Sequence, residues 1–181
     1  MLYFTGIWEE DLKILEKYIE KIDYRTPTSR MEKFKIPQKV GGSVLYGWTW
    51  RSYLSPTKNR EFDEKVGRYK TKIMAERPEL WDIFQELRNI YFPGFVFTGV
   101  QLNKNYRILP HKDSANIGVS YLVALGDYEG GGRTIVDYKF KVVKLDARAG
   151  PVSFDGSKYW HWIENWVKGN RYSLVFFNDK K

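Results

Sequence analysis

The hydrophobic pattern of the chain changes once, near residue 94. Before that point, apolar residues recur at helical spacing over residues 9–22 and again over residues 78–91, which predicts two amphipathic helices. After it, short runs rich in β-branched and aromatic residues alternate with turns that contain glycine, proline, aspartate or asparagine. We predict that these runs are strands, at residues 95–102, 118–125, 133–136, 140–145, 152–154, 159–163 and 171–177.

This order of elements favours an α+β, mainly β fold, with a compact β-sandwich or barrel in the C-terminal half and the N-terminal helices packed outside it. The 181 residues fit one domain, and their 43% apolar and 17% aromatic content is enough for a hydrophobic core, which excludes a disordered chain. We expect a single domain over residues 1–181, with a helical and basic part at 1–93 and a β core at 94–178. Residues 25–60 contain several prolines and glycines and are expected to form ordered loops or short strands.

The residue types exclude several classes of protein. The chain has no cysteine, which rules out disulfides, cysteine-ligated zinc or iron–sulfur sites and a thiol nucleophile. No apolar run approaches the ~20 residues of a membrane span, and acidic residues come too early for a signal peptide. We therefore expect a cytoplasmic protein, in the host cytoplasm if its source is viral, with no membrane contact and no obligate protein partner.

Positive charge is concentrated in one segment. The net charge is +8; residues 21–72 hold 13 Lys and Arg against 5 Asp and Glu, whereas the rest of the chain holds 17 of each sign. Aromatic residues are interleaved with these charges, a combination that suits a surface that follows nucleic-acid phosphates and stacks on bases. A solvated basic face over ordinary core aromatics is the alternative interpretation.

The candidate chemistry begins at His111 and Asp113. In an extended segment, residues i and i+2 point to the same side, so the imidazole and the carboxylate would converge. His161, the only other histidine, follows 50 positions later in a different predicted strand. Two histidines and one carboxylate on one face of a metal form the facial triad of non-haem Fe(II) oxygenases. For His111 and Asp113 alone, the alternative interpretation is a surface histidine that happens to lie near a carboxylate.

A second pair, Arg171 and Ser173, opens the last predicted strand ten residues after His161. The two share a face by the same period of two, and a turn separates their strand from that of His161. A guanidinium fork at this place suits the distal carboxylate of a dicarboxylic acid whose other end chelates the metal, and the serine hydroxyl can add a hydrogen bond. An arginine with a buried stem and a surface head group is the alternative.

In this order and spacing, His-x-Asp, a distal histidine and Arg-x-Ser resemble the Fe(II)/2-oxoglutarate-dependent dioxygenases, over roughly residues 94–178. The resemblance implies a double-stranded β-helix, or jelly-roll, core that uses Fe(II), 2-oxoglutarate and O2. It further implies that His111, Asp113 and His161 are the catalytic iron ligands and that Arg171 and Ser173 bind 2-oxoglutarate.

Three blocks of sequence are similar to the TET/JBP branch of this superfamily, whose members hydroxylate the 5-methyl group of pyrimidines in DNA. They are HKDSANIGVS at 111–120, LGDYEGG at 125–131 and RYSLVFF at 171–177. The resemblance is to a minimal viral or bacterial member. The chain has neither the cysteine-rich zinc-binding region of the animal TET enzymes nor room for the extra DNA-recognition domain of the J-binding proteins.

Three polar residues near the His-x-Asp are further candidates. Asn103 and Tyr106 precede it at a position where oxygenases often place cosubstrate contacts. Asn116 follows it and is a candidate hydrogen-bond partner for the edge of a substrate base. Its alternative role is that of a turn residue before Gly118.

Tryptophans and an arginine of the basic segment are candidates for the DNA surface. Chemistry on a base in a duplex requires the nucleotide to be flipped out, with cations on the flanking phosphates and an aromatic ring on the extruded base. Trp48, Trp50 and Arg51 are the candidates for these contacts, although tryptophans of this kind are more often core residues. Trp160 and Trp162, on either side of His161, are expected to pack in the barrel.

The favoured hypothesis is therefore a hydroxylase of the 5-methyl group of 5-methylcytosine or thymine in DNA. An AlkB-like demethylase of N-alkylated bases would share the metal site and the basic surface, and protein or small-molecule hydroxylases use the same core. A DNA-binding module without a metal is disfavoured, because both histidines fall where iron needs them.

Overall fold

The structure, a computed structural model, describes residues 3–25, 41–49 and 62–180. Within these ranges the chain forms three helices, α1 (Trp8–Ile19), α2 (Lys72–Glu76) and α3 (Glu79–Tyr91). It also forms ten strands: β1 (Gly42–Thr49), β2 (Phe62–Asp63), β3 (Arg68–Lys70), β4 (Gly99–Lys104), β5 (Ser120–Leu125), β6 (Thr134–Asp137), β7 (Val142–Leu145), β8 (Val152–Phe154), β9 (Trp160–Ile163) and β10 (Tyr172–Phe177).

The strands form two antiparallel sheets. The larger sheet has the order β2-β3-β1-β4-β10-β5-β8, and the smaller has the order β7-β6-β9. An isolated antiparallel bridge joins His111 to His161 and so adds the segment before β5 to the small sheet, beside β9. Residues 42–47 of strand β1 pair with β4, so the large sheet extends across the predicted division at residues 93 and 94.

The central strands of the large sheet have two different faces, as their period of two requires. Leu102 of β4 and Leu174 and Phe176 of β10 are fully buried in the core on one face. The alternate residues Ser173 and Val175 line a cavity on the other face. The apolar stripes of two helices cover the first face: Leu12, Leu15 and Ile19 of α1, and Leu80, Ile83, Phe84 and Leu87 of α3.

The two predicted helices and the mainly β character of the C-terminal half are confirmed, with differences at the ends. Helix α1 ends at Ile19, and Ile22 reaches the same core from the turn that follows. The strand predicted to start at residue 140 begins at Val142, because Phe140 lies in the preceding turn and is fully exposed. Helix α2 was not predicted, since its five residues are too few to show a helical period.

Among the residues that the structure describes, no helix has the length and apolar character needed to cross a bilayer.

Candidate metal centre

The two histidines occupy facing positions of the antiparallel bridge that joins the segment before β5 to β9. The amide of each donates to the carbonyl of the other at 3.0 Å, and the centres of the two imidazole rings are 4.2 Å apart. Asp113 reaches both rings, with its carboxylate oxygens 3.5 Å from Nε2 of His111 and 3.3 Å from Nε2 of His161. One ligand atom from each of the three residues lies within 4.8 Å of the other two. The sequence-predicted triad is therefore brought together in space.

Backbone carbonyls orient both imidazoles toward this point. Nδ1 of His111 is 2.8 Å from the carbonyl of Leu109, and Nδ1 of His161 is 3.1 Å from the carbonyl of Tyr159. A carbonyl can only accept, so each Nδ1 carries a proton, and Nε2, which faces Asp113, is the ring nitrogen left to bind a metal. The same second contact fixes ring orientation in histidine metal sites generally.

The carboxylate of Asp113 is held in its charged form. Burial opposes ionisation, but the hydrogen bonds and charges of His111 and His161 outweigh it and hold the pKa of Asp113 well below its ordinary value. The amide of Asp113 donates to the carbonyl of Gly156 at 2.9 Å. Gly156 itself leaves no spare room, because a Cβ there would lie 3.2 Å from both Oδ2 of Asp113 and Cε1 of His161.

The triad lies in a cavity of about 320 Å³ between the two sheets. Its volume is at the lower end of the range for small-molecule sites. The three ligand residues share the lining with apolar side chains and with polar ones from both sheets. The polar lining residues include Ser43, Gln101, Asn103, Asn116, Thr134 and Ser173.

Three of these polar residues form a row across the large sheet. Ser43, Asn103 and Ser173 lie directly opposite one another on β1, β4 and β10. Ser43 Oγ donates to Asn103 Oδ1 at 2.8 Å, and Asn103 Nδ2 donates to Ser173 Oγ at 3.3 Å. Gln101 joins the row by donating from Nε2 to Ser43 Oγ at 2.7 Å. The row gives the cavity a hydrogen-bonding wall, and the proposed cosubstrate residues Asn103 and Ser173 both belong to it.

Arg171 is a buried cation without a carboxylate partner among the described residues. Its side chain is 2% exposed, and its guanidinium carbon lies 5.5 Å from the centre of the Tyr128 ring. Nε donates to the carbonyl of Gly132 at 2.9 Å, whereas Nη2 is buried with no hydrogen-bond partner. Burial lowers the pKa of Arg171 from its ordinary value. A buried guanidinium with an unused donor is costly unless an anion binds it.

Thr134 carries a second unpartnered polar atom. Its side chain is 1% exposed, it lines the cavity, and its Oγ1 has no hydrogen-bond partner in the described part of the chain. Gly132, which accepts from Arg171, lies only two residues before it, so both unused groups belong to the same end of the site. Arg171 does not itself line the cavity surface. A hydroxyl and a guanidinium donor that both lack partners fit the distal carboxylate of a dicarboxylic acid.

The other predicted site residues have different placements. Tyr106 is buried and lines the cavity. Asn116 also lines it, and its Nδ2 donates to Ser120 Oγ at 3.4 Å. Trp48 packs against the core, edge-on to Trp81, and does not line the cavity. Two further candidates for the DNA surface, Trp50 and Arg51, lie outside the described residues.

The prediction that both tryptophans beside His161 pack in the barrel is wrong for Trp160, which is 50% exposed. It lies on the outer face of the small sheet, and its ring is 5.6 Å from the Lys112 ammonium. The basic segment is also partly internal. Arg68 is buried and forms an ion pair with Asp179.

Two residues of the site were missed by the sequence analysis. Thr134 lies in a predicted strand, but no local sequence pattern indicates that its hydroxyl faces the cavity. Gly156 follows Asp155 in a sequence typical of an ordinary turn. Only the structure shows that it lies against Asp113 and His161.

Comparison with solved structures identifies the fold. No protein-family model matches the sequence, and a search of characterised proteins finds no significant sequence match. The structure of NgTET1 in complex with 5mC DNA is similar, with a TM-score of 0.55 and 19% identity over 93% of this chain and 68% of that one. This chain has a 2-oxoglutarate/Fe(II) oxygenase fold. The relationship predicted from the motifs, including its likeness to TET proteins, is confirmed for the fold.

Two other oxygenase structures are more distant. An oxidoreductase of the 2OG-Fe(II) oxygenase family from Burkholderia pseudomallei has a TM-score of 0.44 and 17% identity over 60% of this chain and 56% of that one. A prolyl-4-hydroxylase from Pseudomonas putida has a TM-score of 0.47 and 12% identity over 98% of this chain and 89% of that one. His111, Asp113 and His161 form a group that could hold a metal ion within this fold.

Proposed function

We propose that this protein is an Fe(II)- and 2-oxoglutarate-dependent dioxygenase that hydroxylates the 5-methyl group of a pyrimidine in DNA. The observation that carries the proposal is the conjunction of the His–Asp–His group with two unpartnered polar groups, on Thr134 and Arg171, at one end of the site. The two antiparallel sheets that enclose this site are the two halves of a double-stranded β-helix core. The chain supplies one domain, with its helices outside the β core.

His111, Asp113 and His161 are the proposed iron ligands. With both Nε2 atoms deprotonated for metal binding, two imidazoles and one ionised carboxylate would match the donor set of the facial triad, which occupies one side of a metal and leaves the other open. The single negative charge of the Asp113 carboxylate favours a divalent cation. When bound, Fe(II) with 2-oxoglutarate and O2 supplies the oxidising power for hydroxylation of an unactivated C–H bond.

Arg171, Ser173 and Thr134 are the proposed partners of the distal carboxylate of 2-oxoglutarate. A carboxylate at this end would accept from the guanidinium donor and the threonine hydroxyl that now lack partners, and would neutralise the buried cation. Ser173 Oγ already accepts from Asn103 and so can turn its own proton toward the ligand. Asn103 and Tyr106 complete this wall of the cavity.

The substrate base is proposed to enter the cavity from a nucleotide flipped out of the duplex. The lining combines apolar surface from Leu122, Phe154 and Val175 with the amides of Gln101 and Asn116. Apolar contacts suit a ring and its methyl group, and an amide can both donate to and accept from the edge of a pyrimidine. The likeness to NgTET1 in complex with 5mC DNA supports a DNA substrate, and 5-methylcytosine and thymine are the two bases proposed.

A panel of modified substrates tests the proposal. The purified full chain would be incubated with Fe(II), 2-oxoglutarate and duplexes that contain 5-methylcytosine, thymine as the only methylated base, or N-alkylated bases. The nucleosides would then be identified by mass spectrometry. We expect a hydroxymethylpyrimidine that the Asp113→Asn variant does not form. Removal of N-alkyl groups instead would indicate a repair demethylase, and DNA binding without any oxidation would indicate a binding module.

A further inference from the structure

The turn between β6 and β7 carries a large apolar side chain in full contact with solvent. Phe140 is 99% exposed, more than any other large hydrophobic residue in the described part of the chain. Isolated exposed apolar residues are common, but this one is not isolated. Val142 on β7 and Trp160 on β9, which are 57% and 50% exposed, both pair with Asp137 on the strand between them. Exposed apolar side chains thus lie in the turn and, on either side of Asp137, on the outer face of the small sheet.

The backbone of this turn is strained. The amide of Tyr138 donates to the carbonyl of Lys141 at 3.0 Å, which closes a loop of two residues, Lys139 and Phe140. Lys139 has φ 72°, in the left-handed region that favours glycine, and its amide donates to Oδ1 of Asp137 at 2.8 Å. A lysine at a glycine position costs stability, and strain of this kind concentrates at functional sites.

The turn is anchored at the metal end of the fold. The rings of Tyr138 and Tyr159 are in edge contact, with their centres 4.6 Å apart. Tyr159 belongs to the loop between β8 and β9, which also supplies Gly156 against Asp113. Val136, two residues before Tyr138, pairs with His161, so the turn begins about 7 Å along the strand from the level of the metal ligands, at about 3.3 Å per residue.

The charge at this place is positive. Lys139 and Lys141 form no ion pair among the described residues. Lys112, which follows His111 directly, has its ammonium 5.6 Å from the centre of the Trp160 ring. The carboxylate of Asp137 already accepts from the backbone of the turn. We call Lys112, Lys139, Phe140, Lys141 and Trp160 the tip surface.

We propose that the tip surface binds the DNA next to the nucleotide that enters the cavity, with Phe140 against a base and the lysines on phosphates. The inference rests on the proposed function and assigns to it a DNA contact outside the basic segment of residues 21–72. Aromatic rings stack on bases regardless of sequence, and lysines neutralise phosphates. A two-stranded ribbon fits a groove of the duplex, and an apolar side chain at its tip can act as a wedge between base steps. A wedge beside the target would favour the flipped state of the nucleotide.

DNA binding by single variants tests the stacking contact. Binding of the full chain to a 5-methylcytosine duplex would be measured by fluorescence anisotropy, without Fe(II) or 2-oxoglutarate. We expect Phe140→Ala to weaken binding about tenfold, the scale of one base–aromatic contact, without lowering the thermal midpoint. Val96→Ala removes a side chain that is 71% exposed elsewhere and should bind like the wild type. Equal affinities for the wild type and Phe140→Ala would overturn the proposal.

The lysines are tested through the salt dependence of the same binding. The double variant Lys139→Ala/Lys141→Ala should reduce the slope of log K against log salt by about 0.9 for each lost phosphate contact. Lys13→Ala/Lys17→Ala, on the exposed side of α1, removes the same charge and should leave the slope unchanged. An equal loss of slope in both double variants would show a general charge effect and overturn the specific contact.

The outcomes separate this inference from the proposed function. Hydroxylation of DNA with unchanged binding by the tip variants would refute the tip surface alone. Tip-dependent DNA binding without any oxidation would refute the proposed activity alone. Loss of binding to anionic phospholipid vesicles in Phe140→Ala, with DNA affinity unchanged, would assign the surface to a membrane and overturn the proposal.

Discussion

His111 and His161 hold each other in place through their backbones, because each amide donates to the other's carbonyl at 3.0 Å. The distance between the two imidazoles is therefore set by a β-bridge and not by a flexible loop. Asp113 is tied in turn to the carbonyl of Gly156 at 2.9 Å. Backbone hydrogen bonds therefore fix all three proposed iron ligands before any metal binds.

The first prediction concerns the space around the ligands. Gly156→Ala places a Cβ 3.2 Å from both Asp113 Oδ2 and His161 Cε1, so one of the two must shift. We expect Fe(II) affinity to fall by about tenfold or more, as for other groups that orient metal ligands. Anaerobic calorimetric titration measures it. Gly150→Ala is the matched control, because a Cβ there meets nothing within 4 Å. Wild-type affinity in Gly156→Ala would remove this glycine from the metal centre.

The second prediction separates binding from stability at Thr134. Thr134→Val removes a buried hydroxyl that has no partner, so the free energy of unfolding without ligands should rise, by about 1 kcal/mol. The same change should weaken 2-oxoglutarate binding, by about 0.5–1.5 kcal/mol. Thr98→Val, which removes a hydroxyl bonded to Asp179, should destabilise the protein instead. Denaturant unfolding and ligand titration give both numbers, and a loss of stability in Thr134→Val would contradict the proposed role.

The third prediction concerns the guanidinium. Arg171→Lys keeps the charge but loses the planar fork, so the apparent affinity for 2-oxoglutarate should weaken by about 1–3 kcal/mol. Turnover as a function of 2-oxoglutarate concentration measures this effect. Arg133→Lys is the control, since Arg133 is paired with Glu164 on the surface and should not affect the cosubstrate. An unchanged cosubstrate requirement in Arg171→Lys would exclude the residue from the site.

The fourth prediction is a pH dependence of stability. Asp11 is buried, and although burial opposes its ionisation, hydrogen bonds from Tyr91, Thr5 and Gly6 hold its pKa below the ordinary value. Its contribution is therefore complete above the unfolded pKa, near 4, and is lost as the pH falls through the lower folded pKa. We expect Asp11→Asn to lower the thermal midpoint at pH 7, with a smaller difference from the wild type at pH 3. The exposed neighbour Glu10→Gln should change neither, and equal losses at both pH values would refute the charge effect.

The triad and the Arg-x-Ser pair could be predicted from the sequence because each depends on local rules. His111 and Asp113 share a side through the period of two, and apolar runs mark the strand that carries His161 and the strand that follows Arg171. The roles of these residues at a metal and a cosubstrate rest on the resemblance of the motifs to a known superfamily and stay predictions. Roles on the DNA surface stay predictions for Trp48, Trp50 and Arg51.

Features that depend on contacts between distant strands could not be predicted. The row of Ser43, Asn103 and Ser173 exists only because β1, β4 and β10 pair in one register. The exposure of Trp160 and Phe140 is equally hidden. From the sequence, an apolar residue in a run typical of a strand is predicted to be a core residue. The structure leaves these two side chains exposed at one end of the small sheet, which the local sequence does not indicate.

Isotope labelling tests the central claim most directly. The full chain would be incubated with Fe(II), 2-oxoglutarate, a 5-methylcytosine duplex and ¹⁸O₂, and the nucleosides and the consumed 2-oxoglutarate would be quantified by mass spectrometry. The account predicts a hydroxymethylpyrimidine that carries ¹⁸O, formed in proportion to 2-oxoglutarate consumed and absent in His161→Ala. An unoxidised pyrimidine despite steady 2-oxoglutarate consumption, or a product that His161→Ala still forms, would contradict it.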